Sequence, residues 1–373
     1  VSRGPEHELH RTEVEVRDGE TTEVAAELAR VVDRAGWVST DLHVHGTRST
    51  DSETAREVRV LGAAAEGLDL LVSSDHDAVT DYGPVAAALG LASRLRTAPG
   101  TEMSMLYGHM NGYPVPASRP EDHWRPGWFV YDEDGRFERV LEPHEVSEAL
   151  RAEGAQVVQI NHPRSSQDLF GYIGFDAETG RFEGPFPDAD AVELLNGKRL
   201  DEYEQVLADF HRLIVDGRRL TGVGTSDIHD DLGVGYARTY VRVGHEGPLE
   251  DLDLDDVWRG IQEGRAVAAS GPFVEISLAR GGEAAEIGQT LVGRGPATLS
   301  VTVQAPSWMT PERLRVLVSG EVLVDREIRP EEADPARPAL RLDTTFTATV
   351  TADAYFMAEV RGSGGRPYLR EVL

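Results

Sequence analysis

From residue 37 to 45 apolar and polar side chains alternate, with Val38, Thr40, Leu42 and Val44 interleaved with Trp37, Ser39, Asp41, His43 and His45. A period of two predicts a β-strand that carries both histidines, and Asp41 behind them, on one face. Beyond it the pattern becomes apolar strands alternating with helices. Ser52 is placed to cap a helix with Val58, Leu61 and Ala65 on one face, ended by Gly67. Residues 68–72 predict a second strand, running into Ser73-Ser74-Asp75-His76-Asp77, and Pro84 opens an Ala/Leu-rich helix to about Arg96. Further strands are expected near 97–103, 108–115, 155–160, 191–195, 220–224 and 239–243, with helices over 143–154, 200–215 and 255–263. Residues 116–141, which include Trp124 and Trp128, interrupt the alternation and are expected to form an irregular excursion, a candidate lid.

The two ends read differently. In residues 12–36, Val14 and Val16 alternate, Asp18-Gly19 offers a turn, and Val24, Ala26 and Leu28 alternate again, so a short N-terminal hairpin is expected. From about Gly271 the helical pattern stops. Val274/Ile276/Leu278, Leu299/Val301/Val303, Leu314/Val316/Val318 and Phe346/Ala348/Val350 predict an appended all-β, sandwich-like domain. The expected organisation is a β segment over 1–36, an α/β unit over 37–270 and a β-sandwich over 271–373.

Composition narrows the partners. Lys+Arg 37 against Asp+Glu 65 gives a net charge of −28, which repels a phosphate backbone over most of the surface and argues against nucleic acid. With no cysteine, disulfides, thiolate nucleophiles and Cys-type zinc sites are excluded. No run approaches the roughly 18 apolar residues of a membrane span. The sequence starts at Val1 with no initiator methionine and no apolar signal region, which leaves cytoplasm and export both open. Lys198 is the only lysine.

The chemistry-bearing residues gather at one place in the pattern. His43 and His45 end the first strand, His76 follows the second, and Glu102 lies near the end of the third. His162, Asn196 and the Asp227/His229 pair follow later strands. In a parallel α/β barrel that end of the strands carries the site. Two imidazoles at i, i+2 on one strand face suit a metal better than a core.

His43-x-His45, Asp51, Ser74-Asp75-His76-Asp77, Gly100-Thr101-Glu102, Gly108-His109, Asn161-His162-Pro163 and Ser226-Asp227-x-His229 resemble, in order, the motif set of the polymerase-and-histidinol-phosphatase (PHP) superfamily. Ala65-Glu66-Gly67-Leu68-Asp69 and Ser270-Gly271-Pro272-Phe273 resemble its carbaryl-hydrolase-like CehA/McbA branch. The resemblance covers about residues 37–273 and implies a distorted (β/α)7 barrel holding two or three divalent ions. His43, His45, Glu102 and Asp227 would hold one, and Glu102 would bridge to a second held by His109 and His162. Asp51, His76 and His229 would hold a third. Nitrogen and oxygen ligands suit zinc, manganese or iron. Asp51 stands where some members have histidine; its carboxylate is the harder ligand and favours manganese or iron somewhat more. Asp41, Asp75 and Asp77 are expected behind the ligands as acceptors for the imidazole N–H groups.

The expected reaction is hydrolysis by a hydroxide bridging the ions, with Glu102, Asp227 and His229 carrying the chemistry. A phosphoesterase acting on a small, anionic phosphate ester is the leading reading, because Arg48, Arg164, Lys198 and Arg199 lie beside motif residues; Arg164 is the expected substrate contact. An aryl carbamate or ester is the alternative substrate, which aromatic residues within 124–131 would suit. A metal-bound module that docks a carbohydrate or partner through the β-sandwich is the non-enzymatic alternative.

Overall fold

The computed structural model describes residues 1–116 and 128–364. Trp124 therefore lies outside the described residues. The α/β unit runs β1 (Trp37–Asp41), α1 (Arg56–Ala65), β2 (Leu70–Ser73), α2 (Gly83–Ala88), β3 (Arg96–Pro99), β4 (Thr101–Met105), β5 (Gly108–Tyr113), β6 (Phe129–Tyr131), β7 (Phe137–Val140), α3 (Pro143–Ala152), β8 (Val157–Asn161), α4 (Leu169–Tyr172), β9 (Ala191–Asn196), α5 (Tyr203–Val215), β10 (Thr221–Thr225), β11 (Arg238–Arg242), α6 (Leu254–Gln262) and β12 (Ala266–Ala269).

These strands form two five-stranded sheets, ordered β12-β11-β1-β2-β3 and β10-β9-β8-β5-β4. Among the described residues they do not close into the expected (β/α)7 barrel. Two causes are local. The single strand expected over 97–103 is broken at Gly100, so β3 belongs to one sheet and β4 to the other. At the opposite edge Thr239 stands in for a ladder: its Oγ1 accepts from Gly224 N at 3.0 Å and donates to Gly224 O at 2.8 Å. The sheets are also mixed. β1/β2, β2/β3, β8/β9 and β9/β10 are parallel, whereas β4/β5 is a tight hairpin and therefore antiparallel, as are β5/β8, β1/β11 and β11/β12. One apolar core nevertheless spans both sheets, joining Val38, Leu70, Val72 and Val241 to Tyr113, Val157, Ala191 and Val223. The amphipathic α6 caps it with Val257, Trp258 and Ile261.

The helix after β1 differs from expectation. Its flanking residue Ala55 makes no side-chain cap, and its buried face is Arg59, Val60 and Ala63, leaving Val58 and Leu61 exposed. Ser52 instead donates to the carbonyl of His229 at 2.8 Å. The helix is oriented by Arg59, whose Nε donates to His45 O at 2.6 Å and whose Nη1 donates to Asp230 O. In the 116–141 excursion, the described Trp128 is buried and stacks on Phe129 with ring centroids 3.9 Å apart, part of the core around Met103 and Met110.

The N-terminal hairpin does not form as a ladder. The segment contributes one isolated bridge, His7 to Arg30, while Val14, Val16 and Val24 remain exposed with no sheet to cover them. What fixes it is Glu6, fully buried against Arg238, Arg34 and the Tyr240 hydroxyl. After the α/β unit come β13 (Phe273–Arg280), β14 (Glu283–Glu286), β15 (Gly295–Gln304), β16 (Met309–Val318), β17 (Glu321–Glu327), β18 (Leu340–Val350) and β19 (Phe356–Gly364). They make a four-stranded sheet, β14-β13-β15-β18, and a three-stranded sheet, β17-β16-β19. Leu299, Val301, Val303 and Leu342 of one pack on Leu314, Val316 and Val360 of the other, which is the expected sandwich. Among the described residues no helix is long and apolar enough to cross a membrane.

Candidate metal centre

Past the end of β1 the chain is held extended between two neighbours. Asp227 N donates to His43 O at 2.9 Å, His45 N to Ile228 O at 3.1 Å, and Ser74 N to Val44 O at 3.0 Å. This stitching aims His43 and His45 the same way and brings the segments of His76 and Asp227 alongside. The tight β4–β5 hairpin places Glu102 and His109 seven residues apart yet side by side, and β8 delivers His162. His162 and Asp227 both sit at positive φ, 23° and 49°, a costly backbone that a packed site sustains.

Glu102 is the centre. Its Oε1 lies 3.2 Å from His43 Nε2, 3.1 Å from His109 Nδ1 and 3.4 Å from His162 Nε2; its Oε2 lies 3.3 Å from His45 Nε2 and 2.8 Å from His76 Nδ1. Asp227 Oδ1 is 3.5 Å from His43 Nε2 and 3.4 Å from His45 Nε2. Asp51 Oδ2 lies 3.4 Å from His76 Nε2 and 3.0 Å from His229 Nε2. All nine residues named from sequence as ligands thus meet in one cluster, falling into overlapping groups able to hold an ion. Asp51 is not a helix cap, since the helix begins only at Arg56.

The donors fit divalent ions. Among the described residues His43 Nε2 and His45 Nε2 are buried without a hydrogen-bond partner, an arrangement that costs free energy unless a cation meets the lone pairs. Bonds of about 2.1 Å to one tetrahedral ion put ligand atoms about 3.4 Å apart, the spacing found around His43, His45, Glu102 and Asp227. Electrostatics agree. Burial works to raise the Glu102 carboxyl, but His43, His109 and His76 hold it well below the usual range. Against burial, Glu102 and Asp51 lift His76 to about 10, whereas burial pushes His45 down to about 3. Buried carboxylates here require compensating positive charge, which protons or metal ions can supply.

Behind the ligands the structure departs from expectation. Asp41 accepts from the backbone N–H of Ser226 at 3.0 Å and Gly235 at 2.8 Å, and Asp77 from Ser104 N at 3.2 Å, so neither accepts from an imidazole. Asp75 acts at one remove: Ser49 Oγ bonds His45 Nδ1 at 2.8 Å and Asp75 Oδ1 at 3.0 Å. The direct acceptor for His43 Nδ1, at 2.5 Å, is the fully buried Glu193 of β9. The same carboxylate accepts from Thr225 Oγ1 at 2.6 Å, His162 N at 2.6 Å and Asn196 Nδ2 at 3.1 Å. Its signal in the sequence is a lone acid inside the apolar run Ala191-Val192-Glu193-Leu194-Leu195. Ser104 and Ser165 hold His76 Nδ1 at 2.6 Å and His162 Nδ1 at 3.1 Å.

Of the basic residues, Arg164 takes a different role from the one expected. Its guanidinium forms a two-pronged pair with buried Asp209, at 2.6 and 2.9 Å, over the rings of Phe170 and Phe175. That pairing ties the loop after β8 to α5 and leaves no free fork for a substrate anion. Arg199 leans on Glu202 at 3.5 Å. Lys198, by contrast, reaches the cluster, with Nζ 2.6 Å from His229 Nδ1.

Fold and site together define a mixed α/β protein with a buried His/Asp/Glu cluster suited to divalent metal. No family model matches the chain, and no curated protein matches it. Solved structures do. A two-domain protein of Bacteroides vulgatus containing a predicted PHP-like metal-dependent phosphoesterase is 17% identical over 95% of this chain and 99% of its own, with a TM-score of 0.43. PsfC of Pseudomonas syringae is 16% identical, covering 58% of this chain and 87% of that one, at 0.36. An amidohydrolase from Chromobacterium violaceum, with bound sulfate and no metal, is 16% identical over 61% and 97%, at 0.35.

Proposed function

We propose that this chain is a metal-dependent hydrolase of the PHP kind, in its CehA/McbA branch, acting as a phosphoesterase on a small phosphate ester. One observation carries the reading: the buried Glu102 carboxylate has five imidazoles within 3.4 Å of its two oxygens. A purely structural carboxylate needs one or two partners; five imidazoles around one acid suit a carboxylate shared between ions.

His43, His45, Glu102 and Asp227 would hold one ion, Glu102 with His109 and His162 a second, and Asp51 with His76 and His229 a third. Zinc, manganese and iron all suit this donor set. Divalent ions, when bound here, supply Lewis-acid polarisation and lower the pKa of a water from 15.7 to about 7. The chain does the rest. Glu102 would contribute negative charge to the residues that hold the ions. Glu193 and Ser49 fix the orientation of His43 and His45, so that both Nε2 atoms face the cluster. Asn196 Nδ2 orients Asp227 through Oδ2 at 3.2 Å. Asp51, half-exposed, marks the open side through which substrate enters. No cysteine nucleophile exists in the chain.

The test joins metal analysis to a panel of p-nitrophenyl phosphate, a phosphodiester, a carboxylester and an aryl carbamate. Phosphate-ester turnover that disappears with a chelator and returns with Zn²⁺ or Mn²⁺ is expected. Turnover of the carbamate or ester alone would move the activity to non-phosphate bonds. Protein that takes up no metal would end the hydrolase reading.

A further inference from the structure

Lys198 is the one lysine among 37 basic residues, and it stands at the edge of the cluster. Its base is rigid. Gly197 N donates to Thr225 O at 2.9 Å, Lys198 N donates to Asn196 Oδ1 at 3.0 Å, and a side chain at Gly197 would collide with the carbonyl of Tyr236. The turn is thus clamped between β9 and the Asp227 segment, and only the four-carbon stem of Lys198 is free to move. The ammonium is exposed, and its described contact is His229 Nδ1 at 2.6 Å.

That nitrogen is asked to do two things. It also lies 2.9 Å from the carbonyl of Asp227, to which it can only donate, whereas towards an ammonium it can only accept. His229 Nε2 faces Asp51, the side assigned above to an ion. A ring that gives its Nε2 lone pair to a cation carries its hydrogen on Nδ1 and donates it to Asp227 O. The Lys198 ammonium then has no acceptor on the ring, yet remains tethered within a side chain's length of it. Among the described residues Arg48 is exposed and unpaired, while Arg164 and Arg199 are committed to carboxylates.

We propose that Lys198 receives the anionic group of the substrate, its ammonium meeting a phosphoryl oxygen beside His229. The inference rests on the reading of the cluster as a metal centre. A compact ammonium on a flexible stem suits a tetrahedral oxyanion whose other oxygens point elsewhere, because it needs no planar match. It would select for phosphate esters over neutral esters and carbamates by charge.

A single lysine makes the test direct. Protein labelled with ¹³C,¹⁵N-lysine carries one side-chain signal, and inorganic phosphate is the probe, added to the zinc-loaded chain. The expected result is a saturable shift of that signal. Lys198→Met should weaken phosphate binding at least tenfold in calorimetry with zinc content unchanged, and Lys198→Arg should restore part of it. A lysine signal that ignores saturating phosphate, or a Met variant that binds phosphate as well as the parent, overturns the proposal even if the enzyme hydrolyses phosphate esters. Loss of zinc in the Met variant overturns it too, since Lys198 would then be supporting His229. Failure of the parent chain to take up zinc at all is the distinct outcome that removes the metal-centre reading itself.

Discussion

At the scale of single residues, two carboxylates at the margin of the cluster, Glu193 behind it and Asp51 on its exposed side, are the ones to test. Glu193 is the charge that holds His43 by Nδ1, and Glu193→Gln keeps its volume while removing that charge. Zinc affinity should fall by about 10–100-fold, as read by competition with a chromophoric chelator; unchanged affinity would mean that His43 is aimed by something else. Asp51 is the most exposed residue of the cluster and takes no part in capping a helix. Asp51→Asn should therefore lose about one ion per chain while the others stay, and full metal content in that variant would remove the third ion. The nine residues of the cluster were legible in the sequence through the ordered motifs that resemble the PHP set, with the i, i+2 pairs 43/45 and 227/229 as the local signal. Glu193 was not, because its meaning comes from His43, Gln159, His162 and Thr225, partners scattered along the chain. Arg164 misled for the same reason: beside His162 in sequence it looks free, but Asp209 arrives 45 residues later.

At the scale of elements, strand positions followed from apolar runs, whereas directions and edges did not. Nothing in the run over 97–103 announces that Gly100 passes the chain from one sheet to the other. The face of α1 was misread because a buried Arg59 that satisfies His45 O and Asp230 O outranks Val58 and Leu61. The α5–sandwich contact yields a pH prediction. Burial, with Arg315 nearby, pushes His211 down to about 4, and its Nδ1 bonds the Tyr355 hydroxyl that precedes β19. The folded state thus resists a proton that the unfolded chain accepts near 6.5. This contribution to stability is complete above about 6.5 and is lost as the pH falls towards 4. His211→Gln should flatten the decline of denaturation midpoints over that window; a slope identical to the parent's would place the pH sensitivity elsewhere.

At the scale of the whole molecule, the N-terminal segment is anchored by charge more than by strand pairing. Glu6 neutralises Arg238 inside the protein and shares Arg34 with Asp69, so Glu6→Ala strands the buried Arg238 guanidinium. A loss of roughly 3–5 kcal/mol in urea denaturation is expected, and a loss under 1 kcal/mol would show that water reaches the site. The division of the α/β unit into two sheets has a further consequence. His43, His45 and His76 follow strands of one sheet; Glu102, His109 and His162 belong to the other, and Asp227 follows its last strand. Ions shared among them would add to the few backbone bonds that join the halves at the cluster, such as Asp227 N to His43 O and Asp77 N to Glu102 O. At a thousand times the dissociation constant, such binding adds about 4 kcal/mol to the folded state. Calorimetric melting should then show the α/β unit dropping in temperature when a chelator is added. The β13–β19 sandwich, built on its own core, should melt where it did before, so that one endotherm becomes two. In that sense the metal would serve this protein as a thermal rivet as well as a reagent.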